Sequence, residues 1–425
     1  MKTDNNYKPL SKDDVISSDV FVSLYGKDEA QQKRISEGYD KFISLFGRDV
    51  ATVVSASGRS EICGNHTDHN NGSVIAAAVN RDMVAFAAPR DDMGVRIVSQ
   101  GYTGMINMSL TSLDVCESEK YTTTAIMRGV CNYLRSNGRS IGGADIYVIS
   151  DVAKGSGLSS SAAVEVLLGE VMNSLYNGCN IPPIELALAG KYSENKYFGK
   201  PSGLMDQTAS ALGGILYIDF ENEASPKVEK LELDLESMGY AMVVVNTGGN
   251  HADLTSSYAS IPEEMKAVAG LLGTKTLRTA SVDRFYSSVE IIRKKLGDRA
   301  VMRAMHFFDE NERVKAMFNA VKEKDMSKFL ECVNASGESS WMLLQNCYVP
   351  TLQSQPLAFA QAITNRLLKG KEHAVRLQGG GFEGTIEAFV PLESLEEYTW
   401  RMKEIFGKNN VFVLSFRQLG ATKIA

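Results

Sequence analysis

Apolar residues recur at helical spacing in EAQQKRISEGYDKFISLF, residues 29–46, through Ile35, Tyr39, Ile43 and Phe46. One face of a helix collects them. The ATVVSASG that follows is short and β-branched, the character of a strand. ADIYVI at 144–149 alternates, predicts another strand and runs straight into a Gly/Ser stretch. Beyond that stretch Ala163, Leu167, Val171 and Leu175 recur every four residues and predict a helix with one apolar face. The order here is strand, Gly/Ser loop, helix. GGILYIDF, KLELDL and YAMVVVN predict three strands, with ENEASPK as a polar turn between the first two. Residues 281–330 read as mostly helical and charged, HAVRLQGGGFEGTIEAFV sets another glycine loop beside a strand, and NVFVLSF predicts a last strand. Helices and strands mixed in this way predict an α+β protein in two lobes, with the change of lobe within 205–245. We set the division at a polar extension over 1–28, an N-terminal lobe over 29–210 and a C-terminal lobe over 211–425.

Composition narrows the partners. The chain has 425 residues, enough for two domains, and its 44% hydrophobic and 23% charged content is ordinary for a globular protein. A net charge of −6 without a basic stripe argues against nucleic acid and anionic membranes as partners. No apolar run approaches the roughly 20 residues that span a bilayer, and MKTDNNYKPLSKDDV lacks the apolar core of a secretory signal. Six cysteines without CxxC spacing make a disulfide framework or zinc site unexpected. A cytoplasmic location fits best. The polar composition of 1–28 reads as disordered. Oligomeric state is left open, a monomer included.

Three stretches carry candidate chemistry. The first is DVAKGSGLSSSAAVEVLLGE, residues 151–170. It fits neither GxxxxGK[ST] nor GxGxxG. A linker before a helix accounts for it, and so does an anion cradle, in which small residues let backbone N–H groups close on phosphate at a helix N-terminus. Its serine hydroxyls suit N-caps or metal ligands. The second is SASGRSEICGNHTDHNNGSV, residues 55–74, where Arg59, Glu61, His66, Asp68, His69 and Asn70 crowd among small residues. His66, Asp68 and His69 are plausible metal ligands by type; a surface turn is the alternative. The third is SENKYFGKPSGLMDQTASALGG, residues 193–214, in which Glu194 and Asp206 bracket a Gly/Pro/Ser turn.

Together these stretches resemble the GHMP small-molecule kinases, in their galactokinase branch. The family's GRxNLIGEHTDYNxG, PxGxGLSSSAAxEV, GIMDQ and GGGFGG stand here as GRSEICGNHTDHNNG, VAKGSGLSSSAAVEV, GLMDQTASALGG and GGGFEG. NTGGNHADLTSSY (246–258) and RAMHFFDENERV (303–314) resemble further family segments. The resemblance implies a two-lobed fold, with an N-terminal lobe like ribosomal protein S5, a ferredoxin-like C-terminal lobe and the active site between them. It implies transfer of phosphate from ATP, with Mg²⁺, to a sugar hydroxyl. Asp206 matches the catalytic aspartate and Arg59 the arginine beside it. Ser161 and Glu194 match the magnesium ligands. Gly155, Ser156, Gly157, Leu158, Ser159, Ser160, Ser161 and Ala162 would wrap the phosphates. Asn65, His66, Asp68, Gly203 and Tyr258 fall at sugar contacts.

A sugar hydroxyl is a weak nucleophile at neutral pH, so an ionised carboxylate within reach of its proton and an in-line phosphate are what the chemistry needs. An adjacent guanidinium keeps that carboxylate ionised. The departures from the family lie in the sugar half. Asn65 stands for the acid of GEHTD, His69 for tyrosine, Glu61 for asparagine and Ser57 for proline. Glu383 enters the late glycine loop, and SIPEEM replaces the arginines after Tyr258. In galactokinases the acid at position 65 faces the C6 end of the sugar, and plant galacturonate kinases look similar to this chain here. Phosphorylation of galactose at C1 is therefore the first expectation and of galacturonate the second. A non-catalytic sugar and ATP sensor is a third reading, disfavoured by the unbroken SSSAA and by Asp206 and Arg59. HTDHN and LMDQ argue against a non-sugar alcohol as acceptor.

Overall fold

The computed structural model describes residues 7–152, 155–200, 202–248, 254–349 and 353–425. Ala153 and Lys154 of the Gly/Ser stretch, Pro201 and residues 249–253 of NTGGNHADLTSSY lie outside them.

The strands in chain order are β1 (Thr52–Cys63), β2 (Ser73–Pro89), β3 (Gly94–Ser99), β4 (Ile106–Ser109), β5 (Ala144–Ser150) and β6 (Ile215–Asp219). They continue with β7 (Lys227–Leu231), β8 (Tyr240–Asn246), β9 (Ala374–Gln378), β10 (Thr385–Pro391), β11 (Val411–Leu414) and β12 (Thr422–Lys423). Among the described residues one sheet has eight strands and the other four. The larger runs β12-β1-β2-β5-β3-β4, with β6 also paired to β2 and β7 to β6.

β2 gives this sheet its shape. Residues 73–77 pair with β6 and 83–89 with β5, while the opposite edge follows β1. Its sequence SVIAAAVNRDMVAFAAP shows no alternation because nearly every position is buried. A strand covered on both faces has no polar side to present. The helices Ser160–Tyr176, Pro183–Ser193, Met205–Leu212 and Thr123–Ser136 share one large core with the sheet. Helix Glu29–Phe46 covers the other face, and its Phe42 shares a core with Phe86 and Tyr147.

The N-terminal segment departs from its composition. Helices Lys12–Ile16 and Asp19–Tyr25 are capped by Ser11 and Ser18, and Val15 and Phe21 are wholly buried in that second core. Leu10, Ile16, Val20 and Leu24 pack partly buried around these two anchors. From residue 7 the segment is a folded part of the lobe and not a disordered extension.

The smaller sheet is antiparallel, ordered β11-β8-β10-β9. With the helices between β8 and β9 and helix Leu395–Phe406 before β11, this is the ferredoxin-like arrangement. The chain changes sheets between Leu231 and Tyr240, so the division set after residue 210 separates β6 and β7 from the sheet that they complete. KLELDL is a strand only to Leu231. The final residues return to the first sheet through β12. Among the described residues no helix is long and apolar enough to cross a membrane.

Candidate active site

β5 leads into the Gly/Ser loop, and the helix Ser160–Tyr176 begins inside it. Gly155 and Gly157 have φ of 76° and 71°, and Ser159, the N-cap, is left-handed at φ 57°. At Gly157 a Cβ would overlap the Thr385 hydroxyl of β10, so the loop needs glycine there for close approach as well as for its backbone. Ser159 makes no side-chain capping bond to the helix. Its hydroxyl donates to Asp206 Oδ2. The predicted capping role is thus replaced, and the N–H groups of the first turn keep their capacity for an anion.

Arg59 and Asp206, 147 residues apart, meet on the inner side of this loop. Arg59 Nε donates to Asp206 Oδ1 at 2.6 Å and Nη2 to Oδ2 at 2.8 Å. Arg59 Nη1 also donates to the Gly157 carbonyl at 2.6 Å. The register of β1 against β2 shifts between Ser57 and Arg59. This bulge at Gly58 turns Arg59 toward the loop, and a Cβ on Gly58 would crowd the Leu158 carbonyl. Asp206 sits in the first turn of helix Met205–Leu212. Burial raises its carboxyl, but Arg59 and the Ser159 hydroxyl outweigh burial and hold it below its ordinary value. The Asp206 side chain is 28% exposed and that of Arg59 7%. The pair therefore has one open, anionic face, unlike an ion pair sealed in a core.

Ser161 and Glu194 supply oxygen donors. Ser161 lies half-buried in the first turn after the loop. Glu194 is buried where helix Pro183–Ser193 widens into a π turn, its Oε1 accepting from Lys200 Nζ at 2.9 Å and Oε2 from Gln207 Nε2 at 3.0 Å. Hydroxyl and carboxylate oxygens suit Mg²⁺, which draws most of its ligands from phosphate and water. Among the described residues no group of three or more His, Cys, Asp or Glu side chains is placed to hold a metal ion. That removes the His66, Asp68 and His69 set. His66 Nδ1 lies 3.2 Å from His69 Nε2, and His66 Nε2 lies 3.0 Å from the Gly380 carbonyl.

The candidate sugar residues fall on the turn after β1, on the loop before helix Met205–Leu212 and on the facing lobe. Asp68 Oδ1 accepts from the His69 N–H at 2.9 Å, and a Cβ on Gly203 would overlap Asp68 Oδ2. These two positions therefore share one wall. Burial, and then the charges of Asp206 and Glu61, push the Asp68 carboxyl up to about 7. Burial lowers His66 and His69, which keeps both rings neutral at pH 7. Tyr258 Oη donates to the Gly381 carbonyl at 2.7 Å, and its ring packs edge-on to Phe382. Tyr258 and His66 thus both brace the late glycine loop.

Asn65 is the exception. It is fully buried, and its amide is bonded within the protein. Nδ2 donates to Glu61 Oε1 at 2.8 Å and to the Gly379 carbonyl at 2.7 Å. Oδ1 accepts from Asn346 Nδ2 at 2.9 Å and Ser340 Oγ at 3.2 Å. With two donors and two acceptor sites filled, no valence is left for a sugar hydroxyl. Beside the sugar contact expected of it, Asn65 has a structural role.

Sequence reasoning singled out Glu61 without giving it a role and passed over Arg376 and Glu387; the three fill the space behind Arg59. Arg376 and Glu387 are cross-strand partners on β9 and β10, both wholly buried, and Ser60 Oγ donates to Glu387 Oε2. Burial is the main influence raising the Glu387 carboxyl to about 7. The available signal was a charge in the middle of each apolar strand, in HAVRLQ and TIEAFV.

Two family signatures match the chain. Residues 125–214 match the GHMP kinases N terminal domain, and residues 40–89 match the galactokinase galactose-binding signature. Among solved structures, the chain is similar to Lactococcus lactis galactokinase complexed with galactose, at 25% identity, TM-score 0.78, over 92% of this chain and 99% of that one. Methanococcus jannaschii mevalonate kinase, at 14% identity and TM-score 0.59, covers 86% and 98% of the respective chains. A D-glycero-D-manno-heptose 1-phosphate kinase from Bacteroides thetaiotaomicron, at 14% and 0.58, covers 88% and 98%. The last two likenesses concern the fold alone.

Proposed function

Because the chain belongs to the GHMP kinases, in their galactokinase branch, and so is a phosphotransferase acting on a sugar hydroxyl, we propose that it transfers the γ-phosphoryl group of ATP to the C1 hydroxyl of galactose. The bidentate Arg59–Asp206 pair, open on one side and joined to the phosphate loop through Gly157 and Ser159, carries this reading. Asp206 is ionised at neutral pH and accepts the C1 hydroxyl proton as the oxygen attacks phosphorus. Arg59 keeps that carboxylate charged and in place with its fork, and its positive charge lies beside the oxygen that gains negative charge. Gly155 to Ala162 receive the β- and γ-phosphates at the helix N-terminus. Ser161 and Glu194 are the residues that would hold Mg²⁺, which neutralises phosphate charge when bound. Asp68, Gly203, His66 and Tyr258 shape the sugar side.

Galacturonate is the second reading, favoured by one observation. Position 65 offers no carboxylate to repel a C6 acid, and the neighbouring Glu61 is paired with Arg376. Sugar-dependent ADP release across a panel of monosaccharides and uronic acids, with the product's phosphate located by ³¹P NMR, tests both. Turnover of galactose is expected. Absence of turnover with every sugar refutes the proposal, and absence with galacturonate removes the second reading.

A further inference from the structure

We propose that Glu61 and Arg376 are positioning residues, which help to lock the turn carrying Asn65, His66 and Asp68 against the opposite lobe through an Arg–Glu–Asn bridge. Arg376 reaches across from β9, its Nη2 donating to Glu61 Oε1 at 2.7 Å and its Nη1 to the Glu61 carbonyl at 2.5 Å. The same Oε1 takes the 2.8 Å bond from Asn65 Nδ2, whose other hydrogen goes to the Gly379 carbonyl. All three side chains are buried.

The direction of each bond fixes the chemistry of each position. Residue 61 faces two donors and must accept; residue 65 faces a carboxylate and a carbonyl and must donate with its nitrogen. Placing an acid at position 65 alone sets acceptor against acceptor with no water to intervene, whereas an amide at position 61 keeps an oxygen that can accept but loses the charge. A buried anion at 61 needs a cation, and Arg376 is that cation. The sequence carries the matching signature: where GRxNLIGEHTD has asparagine and then an acid four residues later, this chain has Glu61 and then Asn65. Acid and amide have traded places as a pair. The bridge leads to both sides of the candidate sugar site, because Asn65 holds Gly379 while His66 holds Gly380. The effect on sugar binding rests on the proposed function; the bridge itself does not.

The test is a cycle of Asn65→Asp, Glu61→Gln and the double variant. Asn65→Asp is nearly isosteric and turns the bonds to Glu61 and to the Gly379 carbonyl into repulsions. It is expected to raise KM for the sugar about tenfold or more, since a bond to a charged group is lost, while KM for MgATP stays within about twofold. Amide hydrogen exchange is expected to quicken over 64–70 and 379–384 and to stay unchanged in helix Glu29–Phe46. In the double variant the amide introduced at position 61 donates to the carboxylate introduced at position 65, the contact with the Gly379 carbonyl stays unrelieved, and both readouts move part of the way back toward wild type. A double variant no better than Asn65→Asp, or exchange in Asn65→Asp equal to wild type, overturns the proposal. If Asn65→Asp does not fold, the same decision is read from whether Glu61→Gln restores folding to it. If the wild type turns over no sugar, the functional reading fails, and hydrogen exchange still decides the bridge.

Discussion

Replacing Asp206 by asparagine removes the proposed proton acceptor with almost no change in shape. In the native site the carboxylate accepts from Arg59 Nε and Nη2 and from Ser159 Oγ. An amide oxygen retains part of that set, but its nitrogen meets donors, and Arg59 is left buried without its counter-charge. Breaking a buried pair from one side costs about 3–5 kcal/mol. The 28% exposure of the Asp206 side chain places this loss near the lower end, about 3 kcal/mol. Activity is more sensitive: loss of a positioned general base lowers kcat by about 10²–10⁴-fold. The decisive assay measures kcat by ADP release at saturating sugar and MgATP, together with nucleotide affinity by calorimetry. Nucleotide binding is expected to survive, because the loop backbone and helix N-terminus are untouched. A kcat within twofold of wild type would refute the assignment of Asp206. The same carboxylate makes an acid-side prediction. Its folded pKa is depressed, so its stabilising contribution is present above the unfolded value of about 3.9 and is lost as pH falls through the folded value.

Asp68 has the opposite sign. Its folded pKa of about 7 lies above the unfolded value, so stability attributable to it is full in acid and declines as pH rises toward 7. Asp68→Asn should therefore gain stability over wild type at pH 8 relative to pH 5, on the order of 2 kcal/mol in urea unfolding; an equal difference at both pH values counts against it. Gly203→Ala forces a methyl group into the Asp68 carboxylate, and KM for sugar should rise about tenfold with KM for MgATP little changed. Equal changes in both would mean that Gly203 serves the fold and not the sugar. Asp82 is bonded by Arg34, Arg417, Ser55 and Tyr25, tying the N-terminal helices and the C-terminal return to β2. Asp82→Ala should lower unfolding free energy by about 3–5 kcal/mol while kcat at low temperature is kept; a smaller loss than about 1 kcal/mol would show that the cluster is not cohesive.

Short-range physics made part of this molecule legible from its letters. The helix at 29–46, the strand at 144–149 and the Gly/Ser loop opening a helix depend on spacing within a few residues, and they fold as read. The α+β class follows from such local patterns, and the resemblance to the sugar kinases from the short motifs GNHTDHNNG, GLSSSAA and GLMDQ. Other features depend on what lies opposite. β2 could not be read by alternation because both its faces are covered. Val15 and Phe21 are too sparse to announce helices until the surface that buries them is present. Arg59 and Asp206 are 147 positions apart, and only the bulge at Gly58 and the start of the helix at Met205 turn them toward each other. Asn65 shows the limit most clearly. Its letter suggested a neutral contact for sugar, whereas Glu61, Gly379, Ser340 and Asn346 fill every bond that it can make. Sequence thus determined which groups are available; tertiary structure decided which of them remain unpaired, because the hydrogen-bonding capacity of a side chain is finite and its distant neighbours claim it.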